Sequence, residues 1–542
     1  MKNKFLKTTA LFVGFSVIFF AGCKTINQPS SVIAELDYSD KDILSNEISN
    51  IKKLLQKEPV KAMWRASFIS ESHPEVLADC ITHVEGQLDS AIEQKEYFDA
   101  IRLLHSLESV GYKDSKNYGK TVATLVNNNI PGSDVPASKL PKNISDCINA
   151  TVTVWVDKGF KVQNGAGYAD IVIGSGFFID RRGYLITNHH VIEDLVNPKY
   201  EGFSRLYVKL PSDPDTKIPA KVIGYDSTMD LALLKVEIEP DYIFSLGSSK
   251  ALSVGDRVSA IGTPIGLEGT LTSGIISSIN RKLTTMGTVF QLDAAVNSGN
   301  SGGPLIDTNR NVQAVVFAGM LQYQGLNFAI PVEYLKQELP LLYNGGSFQH
   351  CWISCYGHTL KNKGVSTGIE VQYVMPGGSA HFAGIREGDV ILSVGENKVT
   401  SIEEFQLALM KYLPETIVEI SYKNTNDEMK TVSMYLEKRP ESPSVNFFES
   451  DLLTDSFIPL YGIKLVHSST TNKKSYTITK VIKGSYADEM GFSEGDPVEV
   501  LNVEVDNQNK YILSKIYIKR RKKGFIDISM IIGSSFDSPY YF

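Results

Sequence analysis

The sequence predicts a multidomain protein with an α-helical N-terminal region, a β-rich central region and two smaller α+β modules after it. Apolar residues recur at three- and four-residue steps in the first part of the chain, as one face of a helix requires. Short β-branched runs dominate the middle, and one pattern of glycines occurs twice in the last third. With 542 residues, the chain is too long for one hydrophobic core and should divide into three or four domains.

The first residues have the pattern of an export signal. Three lysines precede an apolar run over residues 11–20, which is typical of a secretory signal peptide rather than a full membrane span. The next letters, residues 20–23 (FAGC), resemble a bacterial lipobox, in which the signal is cut before a cysteine that is then acylated. We expect residues 1–22 to be removed and Cys23 to tether the protein to a membrane, facing the periplasm or the exterior. An ordinary signal peptide with a chance cysteine is the alternative.

Residues 36–127 have the pattern of a helical domain. Leu44, Ile48 and Ile51 lie on one predicted helix face, and residues 95–97 (KEY) have the character of a tight turn between helices. This hairpin resembles a tetratricopeptide unit, but a solenoid needs three repeats and only one is found. We therefore expect a helical cap, spacer or docking domain, and then a linker over residues 128–144 that contains proline and glycine.

Residues 145–341 form the predicted β-rich domain. Runs such as 150–155 and 312–317 are typical of antiparallel strands and suit two barrels. The connection between Asp157 and Asp170 is short, so no long insertion is expected there.

Residues 299–304 (GNSGGP) place a serine among glycines. Glycines allow backbone conformations in which several N–H groups point at one spot, and such donors form an oxyanion hole. A serine becomes a nucleophile only beside a base that a third group orients. Residues 187–191 (TNHHV) and 230–234 (DLALL) supply histidine and aspartate. The order His, Asp, Ser matches one of the known triad arrangements.

The same letters formally fit the G-x-S-x-G turn of α/β-hydrolases, a different enzyme class. That turn leads from a strand into a helix, and its acid and histidine follow the serine. Here Gly302, Gly303 and Pro304 come directly after the serine and are poor at continuing a helix. The preceding histidine and aspartate would also have no role. We therefore exclude that class.

Five ordered segments resemble the HtrA/Deg-type serine proteases. They are residues 174–179 (GSGFFI), 183–191 (GYLITNHHV), 230–236 (DLALLKV), 261–277 and 293–305. The resemblance implies a chymotrypsin-like double β-barrel protease domain. It also implies that these proteins act as homotrimers, which we expect here by resemblance only.

The resemblance assigns roles to individual residues. It makes His190 the base, Asp230 the group that orients it and Ser301 the nucleophile. The residues themselves do not separate His190 from the adjacent His189; only the motif does. The oxyanion hole is expected at Gly299, Asn300 and Ser301. The pocket for the side chain before the scissile bond is expected at Leu326, Asn327, Phe328 and Ala329. We expect this pocket to prefer an apolar side chain, because it offers no charge partner.

A glycine pattern repeats after the protease region. Gly384 and Gly388 recur as Gly491 and Gly495, each pair 107 residues apart, and both copies place Glu-Gly-Asp before an apolar strand. The copies resemble PDZ domains, over residues 347–438 and 457–540, with a linker over residues 439–456. In the first copy, residues 401–404 (SIEE) form a capping box that opens the helix beside the expected peptide groove.

A PDZ groove takes an extended peptide as an added strand and holds its terminal carboxylate with backbone N–H groups. By the resemblance, the carboxylate loops are Trp352, Ile353, Ser354 and Cys355 in the first copy and Leu460, Tyr461, Gly462 and Ile463 in the second. The implied partners are peptide C-termini. For the second copy, a role as spacer or oligomer contact is an equal alternative.

Composition and charge exclude several function classes. The net charge is −7 and no broad basic face is present, so we expect no nucleic-acid partner. No Walker-type phosphate loop and no HExxH motif occur, so we expect no cofactor and no metal. The basic run over residues 519–523 (KRRKK) is interpreted as the solvated end of a helix, with attraction to anionic lipid as the alternative.

Four cysteines remain besides the one at the expected lipidation site. Cys351 and Cys355 are expected in one strand, where they lie too far apart for a disulfide. A bridge between Cys80 and Cys147 stays open.

Together these patterns predict a lipid-anchored serine endopeptidase of the bacterial cell envelope that cleaves unfolded or misassembled proteins through a Ser-His-Asp acyl-enzyme mechanism. The alternative is a peptide-binding chaperone or scaffold with little or no proteolysis.

Overall fold

The computed structural model describes residues 24–25, 29, 37–114, 116–120, 130–132, 135–163, 165–263, 269–283, 286–297, 299–319, 326–520 and 526–542. The expected signal peptide and Cys23 lie outside these residues. The chain divides into two compact units, one formed by Ile33–Glu441 with Asp537–Phe542 and the other by Met1–Val32 with Ser442–Phe536. Within the described part of the chain, no helix is both long and apolar enough to cross a membrane.

Within the described residues, the N-terminal domain of the first unit contains α1 (Lys41–Leu54), α2 (Pro59–Ser67), α3 (Pro74–Gln94) and α4 (Tyr97–Glu108), and residues 118–120 are also helical. The predicted helix face is confirmed, because Ile51 is buried and Leu44 and Ile48 pack against the same core. Lys95 takes a left-handed φ of 63° between α3 and α4, which makes the tight turn that the sequence predicts.

The protease domain opens with a short helix, α5 (Ile144–Asn149), and its first barrel follows. The barrel elements are β2 (Thr151–Gln163), β3 (Ala166–Phe178), β4 (Tyr184–Thr187), α6 (His189–Val196), β5 (Arg205–Leu210), β6 (Asp213–Asp226) and β7 (Leu231–Val236). Pairing runs in the order β6-β5-β2-β3-β4-β7, and β6 also pairs with β7. The sheet therefore closes on itself. The expected short connection after Asp157 is confirmed, because β2 and β3 form one hairpin.

The second barrel of the protease domain is also closed, in the order β10-β13-β12-β11-β8-β9. Its strands are β8 (Arg257–Gly262), β9 (Thr270–Arg281), β10 (Val289–Leu292), β11 (Pro304–Ile306), β12 (Val312–Gly319) and β13 (Asn327–Pro331). Helix α7 (Val332–Asn344) and β14 (Gly346–Ser347) follow, and β14 pairs with β6 of the first barrel. Two antiparallel barrels are thus confirmed.

The first PDZ module completes this unit. Its elements are β15 (Cys351–Trp352), β16 (Cys355–Asn362), β17 (Val365–Val374), α8 (Ser379–Phe382), β18 (Val390–Val394), β19 (Asn397–Lys398), α9 (Ile402–Leu409), β20 (Ile417–Lys423), β21 (Met429–Tyr435) and β22 (Glu437–Lys438). The sheet order is β16-β17-β18-β20-β21. The N-cap of the predicted capping box is confirmed at Ser401, whose side chain accepts from the Glu404 N–H, whereas the Glu404 carboxylate accepts from the Thr400 N–H.

The second unit holds β1 (Lys24–Thr25), α10 (Pro443–Ser450), α11 (Leu453–Tyr461), β23 (Ile463–His467), β24 (Ser475–Val481), α12 (Tyr486–Glu489), β25 (Pro497–Asp506), β26 (Tyr511–Arg520) and β27 (Ile526–Ser535). Two expectations fail here. Helices α10 and α11 occupy most of the expected linker. The basic run begins at the end of strand β26, so its interpretation as a helix end is wrong, and residues 521–523 lie outside the described part.

The internal repeat predicted from the sequence is visible in the backbone of both modules. Gly384 and Gly491 have φ values of 83° and 76°, and Gly388 and Gly495 have values of 93° and 87°. These left-handed conformations favour glycine, which explains why the same letters recur.

The cysteines at positions 80, 147, 351 and 355 are all buried and free. The open alternative of a Cys80–Cys147 bridge is therefore excluded.

Candidate active site

His190 and Asp230 form a close pair on the first barrel. Strand β4 ends at Thr187 and α6 begins at His189, so both histidines lie at the start of this helix. His190 Nδ1 lies 2.7 Å from Asp230 Oδ2, and the His190 N–H donates to Asp230 Oδ1 at 2.8 Å. One carboxylate therefore holds both the ring and the backbone of His190. The ring nitrogen Nε2 is left as the site that can take and return a proton.

The structure separates the two neighbouring histidines, which the residues alone do not. The His189 ring stacks on Tyr225, with centroids 5.1 Å apart and planes at 22°. Burial lowers the pKa of His189, with the Asp230 charge acting in the opposite direction. Of these two neighbours, His190 is the one that has the geometry of a base held by an acid.

Asp230 is held by its own surroundings in a left-handed conformation, with a φ of 57°. Asn188 Nδ2 donates to the Asp230 carbonyl at 2.8 Å. The preceding turn is held by Asp226 Oδ1, which accepts the N–H groups of Thr228 and Met229 at 2.7 and 3.2 Å. The turn between β6 and β7 therefore positions the Asp230 side chain next to His190, at the start of α6.

The Ser301 loop of the second barrel docks against β3 and β4 of the first. The Ser175 N–H donates to the Ser301 carbonyl at 2.7 Å, and the Gly302 N–H donates to the Val316 carbonyl at 2.7 Å. Gly302 has a φ of 85°, and a Cβ at this position would collide with the Ser175 carbonyl and with Thr187 Oγ1. Glycine is therefore required for the nucleophile loop to approach the first barrel this closely.

The Ser301 hydroxyl donates to the Phe317 carbonyl at 3.3 Å, not to His190. Catalytic hydrogen bonds are often long or misaligned without substrate and tighten when substrate binds. The structure therefore holds Ser301 on a loop that docks against the first barrel, with its hydroxyl turned to the backbone of β12.

The expected oxyanion-hole residues differ in whether their N–H groups are available. The Asn300 N–H donates to the Asn297 carbonyl at 3.0 Å, so it is not free to bind an oxyanion, which corrects that part of the expected donor set. Gly299 has a φ of 101°, and its carbonyl accepts from Ser175 Oγ at 2.6 Å. The N–H groups of Gly299 and Ser301 remain the candidate donors.

The expected substrate-pocket residues lie at the start of β13, beside β12. The register places Asn327 opposite Gly319 and Phe328 opposite Ala318. Asn327 Nδ2 donates to the Ala294 carbonyl at 2.8 Å, so its amide is used within the wall. Phe328 and Ala329 are buried, and Leu326 is half-buried. The wall is apolar, as the sequence predicts.

A buried group of titratable side chains behind the Asp230 turn was not predicted. His350 Nε2 lies 2.6 Å from Asp226 Oδ2, and a ligand atom of Glu338 lies within 4.8 Å of both. Burial would raise the pKa of Asp226, but His350 and the N–H groups of Met229 and Thr228 bring it below its usual range. Burial, and then the Asp226 charge, raise the pKa of Glu338 well above its usual range.

This group is the one place among the described residues where three such side chains could hold a metal ion. The charges favour a cluster held by a shared proton instead, because the pKa of Glu338 is raised and His350 pairs directly with Asp226. The three residues are far apart in the sequence and follow no motif, so no local signal could have found them.

The expected carboxylate loop of the first PDZ module lies between β15 and β16. Ser354 is fully buried with a left-handed φ of 68°, and its hydroxyl bonds to the Glu437 carboxylate. The Ala380 N–H donates to the Ile353 carbonyl at 3.1 Å. Ser354 therefore adopts the backbone conformation that glycine usually provides, and the half-buried Glu437 carboxylate accepts its side-chain hydrogen bond.

The corresponding loop of the second module is built differently. Leu460 and Tyr461 end helix α11, Gly462 caps it with a φ of 81°, and Ile463 begins β23. Strands β25 and β26 are joined by residues 507–510 alone, all of them described, so no helix corresponds to α9. The groove expected in this module therefore lacks its helical wall.

Two closed antiparallel barrels with a histidine–aspartate pair and a glycine-flanked serine at their junction define a trypsin-like serine peptidase fold. Family models agree with this class. A trypsin-like peptidase domain matches residues 174–315 and a PDZ domain matches residues 354–418. A TP0546 family PDZ domain matches residues 444–536, and a domain of unknown function matches residues 42–128.

Similar proteins match more than half of this chain. A probable periplasmic serine endoprotease DegP-like protein of Bartonella henselae is 33% identical over 350 residues, 61% of this chain and 67% of that protein. Serine protease PepD of Mycobacterium tuberculosis is 30% identical over 340 residues, 59% of this chain and 70% of that protein. The solved structure of the HtrA-type protease AlgW with a tripeptide has a TM-score of 0.45 and 25% identity, over 55% of this chain and 98% of that chain. The chain belongs to the HtrA-type serine proteases with PDZ domains and is a serine-type endopeptidase.

Proposed function

We propose that this protein cleaves unfolded or misassembled proteins of the bacterial cell envelope through an acyl-enzyme formed on Ser301. The observation that carries the proposal is the bidentate hold of Asp230 on His190 beside the docked Ser301 loop. This arrangement supplies a nucleophile, a base and an orienting acid at one junction.

The proposed chemistry follows from the positions of these groups. Ser301 Oγ attacks the scissile carbonyl carbon while His190 Nε2 takes the hydroxyl proton, and Asp230 stabilises the imidazolium that forms. The N–H groups of Gly299 and Ser301 bind the tetrahedral oxyanion. His190 then returns the proton to the leaving amine, and water hydrolyses the acyl-enzyme. An apolar side chain before the scissile bond fits the wall formed with Phe328.

One observation favours the second candidate function, a peptide-binding chaperone or scaffold with little proteolysis. The Ser301 hydroxyl donates to the Phe317 carbonyl and must rotate towards His190 before it can react. A protein that spends most of its time in this arrangement would bind polypeptides and cleave them slowly.

The proposed location is the cell envelope, where the protein is anchored by acylated Cys23 and assembles as a homotrimer. The name of the Bartonella henselae relative places that protein in the periplasm. The lysine-rich apolar start of this sequence supports export of this chain. The trimer rests on the family resemblance.

Cleavage of fluorescently labelled casein tests the proposed activity. We expect Ser301→Ala to lower the rate by about 10⁴-fold or more, because the nucleophile is lost. A matched control is Ser421→Ala, a half-buried serine of β20 whose hydroxyl bonds to Thr431 on the neighbouring strand. Equal cleavage by wild type and Ser301→Ala contradicts the proposal. Absence of cleavage in the wild type, together with suppression of casein aggregation, supports the chaperone.

A further inference from the structure

The segment Asp537–Phe542 lies along β16 of the first PDZ module, in the same compact unit. The Cys355 N–H donates to the Phe542 carbonyl at 2.6 Å, and the Phe542 N–H donates to the Cys355 carbonyl at 2.9 Å. The Gly357 N–H donates to the Tyr540 carbonyl at 3.1 Å. With the antiparallel bridge between Tyr356 and Tyr541, these bonds pair the end of the segment, here named the groove segment, with the start of β16.

Side chains of the groove segment fill the space between β16 and α9. Phe542 is 1% exposed, and its ring meets Phe405 of α9 edge to face at 5.0 Å. The Tyr540 ring stacks on His358 of β16 at 4.1 Å. Aromatic pairs of this kind add roughly 0.5–1.5 kcal/mol each beyond the area they bury. The groove segment is therefore held by side chains as well as by the backbone.

Gln406 and Arg439 also hold the groove segment. Gln406 Nε2 donates to the Pro539 carbonyl at 3.0 Å, while its Oε1 accepts the Gly287 N–H of the protease domain at 3.0 Å. Arg439 donates to the Tyr541 carbonyl at 2.7 Å and pairs with Asp537 at 2.6 Å. The Arg439 side chain is 6% exposed, so this pair is shielded from solvent.

We propose that the groove segment is an intramolecular ligand of the first PDZ groove, which an incoming peptide must displace. The N–H and carbonyl of Cys355 and the N–H of Gly357, where an added strand would begin to pair with β16, are already bonded to it, and the pocket beside Phe405 is already filled. This inference rests on the peptide groove of the PDZ module and is independent of proteolysis.

The expected effect follows from the tether. The groove segment is joined to the first PDZ module through the unit Ser442–Phe536, whose two ends lie together because the Ser444 N–H donates to the Phe536 carbonyl at 3.1 Å. A ligand tethered this closely acts at an effective concentration on the order of 1 mM. If the free segment binds the empty groove with a Kd of about 10–100 μM, the tethered copy weakens a competing peptide by about 10- to 100-fold.

The test is fluorescence anisotropy with a labelled hexapeptide of the sequence DSPYYF. All proteins carry Ser301→Ala, so cleavage of the probe cannot enter the result. We expect deletion of residues 538–542 to tighten probe binding by about 10- to 100-fold over the intact chain. Phe542→Asp should act in the same direction without shortening the chain, and Phe542→Leu, which keeps an apolar side chain in the pocket, should remain close to the intact chain.

Equal probe affinity in the intact chain and in folded Phe542→Asp overturns the proposal, and circular dichroism establishes that the variants fold. Dilution separates this arrangement from occupation by a second copy. A tethered segment weakens binding of the probe by the same factor at every protein concentration. If the weakening of probe binding disappears on 100-fold dilution, the intramolecular assignment is overturned. These binding results do not depend on whether the protein cleaves casein. The proposed proteolysis and the proposed intramolecular ligand can therefore be contradicted independently of each other.

Discussion

At the scale of single residues, two adjacent histidines have different surroundings and should have different importance. We predict that His190→Gln lowers casein cleavage by about 10⁴-fold or more, because the base of the proposed triad is lost. His189→Gln removes a ring that stacks on Tyr225 and should leave the rate within about tenfold. Initial rates at saturating substrate measure both effects. If both variants lost a similar factor in cleavage rate, pairing with Asp230 would not determine which histidine is the base.

The buried group behind the catalytic aspartate gives a second prediction at this scale. Burial and the Asp226 charge raise the pKa of Glu338, so the folded state keeps this carboxyl protonated while the unfolded state ionises it. Stability therefore falls as the pH rises above the usual value near 4.5, by up to about 1.4 kcal/mol per pH unit until the folded pKa is reached.

Glu338→Gln removes this dependence while keeping the shape of the side chain. We expect its free energy of unfolding to rise relative to wild type between pH 5 and pH 8, measured by urea denaturation at each pH. The lowered pKa of Asp226 changes the free energy of unfolding only at acid pH. It therefore does not affect the comparison between pH 5 and pH 8. A constant difference between the two proteins across the window would contradict the protonated assignment.

The residues of the proposed triad could be chosen from the sequence, but their present arrangement could not. The glycine-rich letters around Ser301 and the motif around His190 identify both side chains. The hydrogen bond from Ser301 to Phe317, and the use of the Asn300 N–H by Asn297, depend on local backbone geometry that no residue pattern encodes. Glu338 and His350 have no motif at all.

At the scale of elements, the N-terminal helices pack on the first PDZ module. Trp64 Nε1 donates to the Ser433 carbonyl at 2.8 Å, and its ring stacks on Tyr435 at 5.6 Å. The Arg65 guanidinium lies 4.0 Å from the ring centroid of Phe382 on α8. Of the three expected roles for the helical domain, these contacts favour a docking domain, with α2 fitted against α8 and β21.

We predict that Trp64→Ala destabilises the first unit by about 3–5 kcal/mol, because Trp64 is fully buried between α2 and β21. The measurement is chemical denaturation followed by circular dichroism. Phe160→Ala is the control, since Phe160 is 85% exposed at the tip of the β2–β3 hairpin and its loss should cost less than about 0.5 kcal/mol. If the two variants have the same free energy of unfolding, packing of α2 against the PDZ module does not stabilise the first unit.

Element types were predictable where a pattern is long and regular, as in α1 and the barrel strands. The predicted element types were wrong around residues 439–456 and at residues 519–520. The proline- and serine-rich stretch forms α10 and α11 because its phenylalanines are buried in the second core, among them Phe448 and Phe457. The basic run follows strand β26, whose alternating isoleucines are buried on one face, and tertiary packing decides that choice.

At the scale of the whole molecule, the expected lipid anchor gives a prediction. Cys23→Ser removes the thiol that would be acylated, so this variant should move from the membrane pellet to the soluble fraction of fractionated cells. The wild type should show a lipid-modified N-terminal peptide by mass spectrometry. A variant that stays in the membrane fraction contradicts anchoring through Cys23.

The order of domains could be predicted from the sequence, since each carries its own pattern. The position of the groove segment could not, because its partners Cys355 and Gly357 lie far from it in the chain. A strand added to a sheet edge depends on which backbone groups are free, and residue letters do not record this.

The central claim is that Ser301 is the nucleophile of a cleft completed by His190 and Asp230. The most direct test is to treat the intact protein with a fluorophosphonate probe and to locate the modification by peptide mass spectrometry. We predict a single modified residue, Ser301, and no modification in His190→Gln. Modification of a different serine, or peptide cleavage by a protein that the probe leaves unmodified, would contradict the account.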